Sequence, residues 1–173
     1  MLFVRIERNL KSYQYKKKPK APDDWDNNKN NSCLDTLYLY EYESLLFQAK
    51  CQTVANIPNG NFKDTITTGP FLIKCFVEKR NFHCDVHGIC QTATLANDWI
   101  TDDCTTDKNE LRWLIHDDQK LLPSPSNLIT SIPWSAGCVV LHKSDLEAFN
   151  EIIKAFGYKA GDTIDAELLN KGE

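Results

Sequence analysis

A chain of 173 residues with 42% hydrophobic residues is long enough to form one domain with its own core. Its formal net charge of −4 argues against nucleic acid as a main partner, because nucleic-acid affinity depends on Lys and Arg at the phosphates. No apolar run approaches the ~20 residues of a membrane helix, so we expect no membrane segment.

The N-terminal region is the most polar part of the chain. Arg5, Glu7 and Arg8 interrupt what would be the apolar stretch of a signal peptide, so we expect no Sec signal and synthesis in the cytoplasm. Residues 11–32 are rich in Lys, Pro, Asp and Asn and have no apolar period. We therefore expect residues 1–32 to be a polar segment or linker and residues 33–170 to form the domain.

Strands are predicted through the middle of the chain, because short apolar runs alternate there with turn residues. These runs are 34–42, 45–54, 71–77, 82–90 and 111–116. The first two suggest a hairpin, and a turn is expected at 58–61. The proline-containing stretch 119–133 predicts a loop at the rim of a site.

One helix is predicted, over residues 145–156. Ser144 is a candidate N-cap with Glu147 three residues later, which is a capping box, and Gly157 is placed to end the helix. Its apolar face consists of Leu146, Phe149, Ile152, Ile153 and Phe156. A last strand is expected at 163–169. The sum is a mostly β domain, sandwich- or barrel-like, with one principal helix.

Seven cysteines is an odd number, so at least one thiol stays unpaired within the chain. We expect most to be reduced, buried, small hydrophobic residues. A disulfide among Cys84, Cys90 and Cys104 stays open if the protein acts outside the cytoplasm. His83 and His87 lie near these cysteines, yet no paired Cys-x-x-Cys motif is present, so we expect no metal and no cofactor.

The most informative motif is a small-residue turn that leads to a cysteine at the start of an apolar strand. Cys138 is the candidate nucleophile, and backbone N–H groups at Gly137 and Cys138 would stabilise an oxyanion. His116, at the end of an earlier apolar strand, is the candidate general base because imidazole takes and returns a proton near neutral pH. Ser135 is interpreted as an orienting hydroxyl, or as an ordinary turn serine.

Several roles around this pair stay open. Asp117 or a backbone carbonyl could fix the tautomer of His116, and Asp117 is also a candidate substrate contact. His87 is a rival base or a substrate contact. Trp113 and Trp134 flank the two catalytic candidates in sequence and would line a substrate groove or belong to the core.

Ser135-Ala136-Gly137-Cys138 before an apolar strand, with Ile115-His116-Asp117 upstream, resembles the motifs of the L,D-transpeptidase catalytic domain family. The resemblance covers roughly residues 34–169 and is greatest to divergent phage and secreted-effector members. It implies a sandwich- or barrel-like β fold. It also implies cysteine-dependent acyl transfer on peptidoglycan stem peptides through a thioester, as a transpeptidase or as a carboxypeptidase or endopeptidase.

The chain departs from the family pattern in ways that bear on the reaction. Val140 stands where the family has Arg, and Asp117 follows the base where the family has Gly. The missing Arg and the expected absence of a Sec signal favour a hydrolytic or effector-like role. That role would involve non-classical export to the periplasm or cell wall and an immunity or delivery protein as partner.

Two other functions are consistent with the sequence. The first is a non-catalytic module of the same architecture that binds cell-wall peptide or a protein. The second is a zinc-dependent hydrolase centred on His83 and His87.

Overall fold

The computed structural model describes residues 1–9, 35–53, 66–78, 82–91, 113–117 and 138–171. These residues form eight strands and one helix, α1, at Lys143–Ala155. The strands are β1 Leu2–Arg8, β2 Asp35–Glu41, β3 Ser44–Gln52, β4 Gly69–Val77, β5 Val86–Cys90, β6 Leu114–Asp117, β7 Val139–Leu141 and β8 Thr163–Asn170. The prediction of a mostly β domain with one principal helix is confirmed.

The strands close into a barrel in the order β1-β2-β3-β7-β6-β5-β4-β8. The β1–β8 and β6–β7 pairs are parallel, and the other pairs are antiparallel. Every described strand has a partner on both sides, although β7 pairs with β3 only at Cys51 and Gln52, and the closed sheet encloses an apolar core. The hairpin of β2 and β3 and the strands β4 and β8 match the runs predicted from the sequence.

The first strand corrects the expected domain boundary. Residues 1–9 are not a polar segment outside the domain, because β1 pairs with both β2 and β8 and completes the barrel. Leu2, Val4 and Ile6 are at most 1% exposed and alternate with polar residues on the outer face. The charged residues in this stretch obscured the alternation. The remainder of the predicted linker lies outside the described residues.

The helix begins differently from the prediction. Its N-cap is His142, and no side chain caps the first turn, so the predicted capping box at Ser144 is wrong. Glu147 instead lies 3.5 Å from Lys143, one turn earlier. The predicted end is confirmed, because Gly157 has φ +88° and its N–H donates to the carbonyl of Lys154.

Apolar side chains fill one end of the barrel, and a buried polar cluster fills the other. At one end, where β1, β3 and β5 begin, α1 packs Phe149 against Phe47, with 6.1 Å between ring centroids. At the other end Arg8, Asp35 and Thr53 form a buried polar group that we call the Asp35 cluster. Arg8 Nε donates to Thr53 Oγ1 at 2.8 Å, and Thr53 Oγ1 donates to Asp35 Oδ2 at 2.6 Å.

The predicted turn at 58–61 and the predicted loop at 119–133 lie outside the described residues. Within the described ranges, no helix combines the length and the apolar character that crossing a bilayer requires.

Candidate functional site

The parallel pairing of β6 with β7 brings the two catalytic candidates onto neighbouring strands. Cys138 directly precedes β7, and His116 lies in β6 opposite Val140, two residues after the cysteine. The backbone N–H of Leu114 donates to Cys138 Sγ at 3.4 Å. The sulfur is therefore held against β6, two residues before the imidazole, although the two residues are far apart along the chain.

The sulfur has one contact of a kind that favours a thiolate. Cys138 is 8% exposed, and a backbone N–H is a better partner for a negatively charged sulfur than for a neutral thiol. A nucleophilic cysteine needs such a donor because its reactive form carries the charge.

The orientation of the His116 ring is set by a short hydrogen bond. Its Nδ1 lies 2.6 Å from the backbone oxygen of Asp117. A carbonyl oxygen only accepts, so Nδ1 carries the proton and the neutral ring has its lone pair at Nε2. Of the two tautomer-fixing groups that the sequence left open, the structure contains the backbone carbonyl.

An aromatic side chain that the sequence analysis did not select covers this imidazole. The ring of Phe82 lies 4.5 Å from that of His116 between centroids, at an interplanar angle of 34°. His116 itself is 3% exposed. The only sequence signal for Phe82 was its position next to His83, which does not by itself predict a contact with β6.

The side chain of Asp117 lies on the other face of β6. Residue Ile115 pairs with Val139 of the core, so alternation places Asp117 inward and His116 outward. Asp117 Oδ2 accepts the backbone N–H groups of His83 at 2.9 Å and Cys84 at 3.0 Å, and lies 3.6 Å from His83 Nδ1. Its carboxylate thus holds residues 83 and 84 to the end of β6.

His87, the rival base, has a different environment. It is fully buried, and its Nδ1 accepts the backbone N–H of Phe76 at 3.0 Å, while its Nε2 lies 2.6 Å from Asn150 Oδ1. The Nε2–H therefore donates to Asn150. Burial lowers the pKa of His87 to about 4, an effect only partly offset by the hydrogen bond to Asn150.

The two histidines are on opposite faces of the sheet. His87 pairs with the inward-facing Ile115, whereas His116 is the next residue along β6 and faces outward. The structure therefore brings His116, and not His87, to the strand beside Cys138.

The remaining site predictions divide into one core residue and three untested ones. Trp113 is 1% exposed, belongs to the core, and its backbone oxygen accepts the N–H of Ile89 at 2.8 Å. Trp134, Ser135 and Gly137 lie outside the described residues, so the oxyanion donor, the orienting hydroxyl and the groove stay predictions.

Four other cysteines, Cys51, Cys75, Cys84 and Cys90, lie in the described part of the chain. Burial raises the pKa of Cys51 well above its ordinary value, and raises those of Cys75 and Cys84 to about 12. Cys90 is disulfide-bonded, and its partner lies outside the described residues. Within the described part of the chain, no three potential ligands cluster as a metal site would require.

Comparison with known proteins identifies a related protein but no family model. No protein-family model matches the chain. An uncharacterized protein of Treponema pallidum (strain Nichols) is 33% identical over 174 residues, an alignment that covers 91% of this chain and 75% of that protein.

Proposed function

The chain belongs to the family of this uncharacterized Treponema pallidum protein, and we propose that it is a cysteine acyltransferase or peptidase of L,D-transpeptidase type. The observation that carries the proposal is the bond from His116 Nδ1–H to the Asp117 carbonyl. This bond leaves the lone pair on Nε2, in a strand paired with the one that follows Cys138. A base and a nucleophile in this relation are the parts that acyl transfer requires.

The reaction follows from these two groups. His116 Nε2 takes the thiol proton, and the sulfur of Cys138 attacks a carbonyl carbon of a peptidoglycan stem peptide. The tetrahedral intermediate collapses when the imidazolium gives its proton to the leaving amine, and a thioester with the enzyme remains. An incoming amine or a water molecule loses its proton to the imidazole, attacks the thioester and releases the thiol.

Two features favour water as the second nucleophile and an extracytoplasmic site of action. Val140, directly opposite His116, is fully buried and apolar, so this position supplies no cation for a peptide carboxylate. The disulfide at Cys90 is typical of proteins that function in oxidising compartments. We therefore propose a hydrolytic role in the periplasm or cell wall.

The test is incubation of the purified protein with muropeptides, followed by liquid chromatography and mass spectrometry. We expect release of D-amino acids or a change in cross-links, and loss of this activity in Cys138→Ala. Cys75→Ala is the matched control because Cys75 is also a buried free thiol, and it should retain activity. Muropeptides left unchanged by the wild-type protein would refute the proposal, as would full activity in Cys138→Ala.

A non-catalytic binding module is the second candidate. The observation in its favour is burial, since Cys138 is only 8% exposed and His116 only 3% exposed. This function predicts that wild type and Cys138→Ala bind isolated cell walls equally well and that neither alters them.

A further inference from the structure

We infer that Asp117 and Phe82 are positioning residues that together hold the His116 imidazole in one tautomer and one orientation. The inference rests on the proposed function, because it concerns the base of that reaction. Neither residue is assigned a contact with the substrate, and both act through His116.

Asp117 is suited to this role because its backbone and its side chain act on opposite faces of β6. Its carbonyl oxygen accepts the His116 Nδ1–H at 2.6 Å. Its carboxylate, on the inward face, accepts two backbone N–H groups from residues 83 and 84. Charge-assisted bonds to a fully buried carboxylate are stronger than neutral ones. The peptide unit that orients the imidazole is therefore anchored through its own side chain.

The same anchor determines where Phe82 lies. Residues 82–84 pass the end of β6, with the N–H groups of His83 and Cys84 directed to Asp117 on one face and the ring of Phe82 on the other. Phe82 immediately precedes the anchored residues, so its ring is held over the imidazole at 4.5 Å. An aromatic ring there excludes water from one face of His116 and restricts its rotation.

The His116 imidazole is therefore constrained in two ways. The bond to the Asp117 carbonyl assigns the proton to Nδ1, and the ring of Phe82 limits the orientation of the imidazole plane. Because acid–base catalysis depends on presenting a lone pair in a fixed direction, loosening either constraint should lower the rate constant more than the substrate affinity.

The test reads the tautomer of His116 directly, by long-range proton–nitrogen NMR of the histidine side chains. The chain has only four histidines, so the spectrum can be assigned by substitution. In the wild type we expect His116 in the Nδ1–H form. In Asp117→Ala and in Phe82→Leu we expect a mixture of His116 tautomers, with kcat at least about tenfold lower and KM changed less than about threefold. A tenfold loss in kcat is a small part of the roughly 10²–10⁴-fold rate increase that a general base contributes.

Two variants serve as controls. Asp117→Asn keeps an oxygen that accepts the same two N–H groups, so it should restore the wild-type tautomer signature that Asp117→Ala loses. Asp85→Asn alters a carboxylate on the same segment that pairs with Lys154 at 3.2 Å and not with β6, so it should leave His116 unchanged.

The outcomes are distinct from those of the proposed function. Wild-type tautomer signals in both folded Asp117→Ala and folded Phe82→Leu would overturn the inference. If Asp117→Ala does not fold, Phe82→Leu decides alone, because it retains every bond of the Asp117 carboxylate. A tautomer that depends on these residues in a protein without activity on muropeptides would refute the proposed function and leave the positioning role in place.

Discussion

The buried imidazole of His87 makes the stability of the barrel depend on pH. Its Nδ1 must stay unprotonated to accept the N–H of Phe76, and the ring is fully buried. The pKa of His87 is lowered from 6.5 to about 4, mainly by burial. Of the neighbouring charges, that of Asp85 opposes the lowering and that of Lys154 adds to it.

The sign follows from proton binding. Below pH 6.5 the unfolded chain binds a proton at His87 and the folded protein does not, so acid favours unfolding until the pH reaches about 4. Each pH unit in this window removes about 1.4 kcal/mol. The free energy of unfolding should therefore fall by about 2 kcal/mol between pH 7 and pH 5 from this residue alone.

The assay is urea unfolding followed by circular dichroism at pH 7, 6 and 5, on wild type and on His87→Gln. The variant should be less stable at pH 7, because it loses the bond to Phe76, and its stability should depend less on pH. The difference in pH dependence between the two proteins isolates His87 from the other histidines. Equal slopes in wild type and variant would contradict a neutral, buried His87.

The other predictions concern the thiols and the far end of the barrel. In competitive alkylation at pH 7, read by peptide mass spectrometry, Cys138 should react at least about 30-fold faster than Cys75 and Cys84. The pKa values near 12 of Cys75 and Cys84 leave about a thousandth of the ordinary thiolate fraction, and the higher nucleophilicity of their thiolates offsets part of this difference. Equal alkylation rates would argue against an activated Cys138. Asp35→Ala should lower the free energy of unfolding by about 3 kcal/mol or more, because it leaves buried donors of the Asp35 cluster without their acceptor. The exposed Asp165→Ala should change it by less than about 0.5 kcal/mol, and a similar loss in both variants would show that the cluster contributes nothing special.

The regular geometry of paired β-strands explains which features of the site could be predicted from the sequence. Cys138 and His116 were predicted as a pair because each ends or begins an apolar run, and adjacent strands bring such positions together. The contact of Phe82 with His116 could not be foreseen, because it depends on the path of residues 82–84 around the end of β6.

Local periodicity was sufficient for most elements. Apolar runs bounded by turn residues predicted β2, β3, β4 and β8, and the 3.6-residue period with Gly157 predicted the helix and its end. β1 alternates apolar and polar residues and was missed because its outward charges were given more weight than its inward Leu2, Val4 and Ile6.

The sequence by itself thus determined the elements and the residue types available for chemistry. Only the tertiary structure decided that β1 completes the barrel, that His116 faces outward on the strand next to β7 while His87 faces inward, and that a backbone carbonyl fixes the tautomer. The physical reason is that period and composition are local properties of the chain. Register, strand order and the face that a side chain occupies depend on pairing between segments that are distant in sequence.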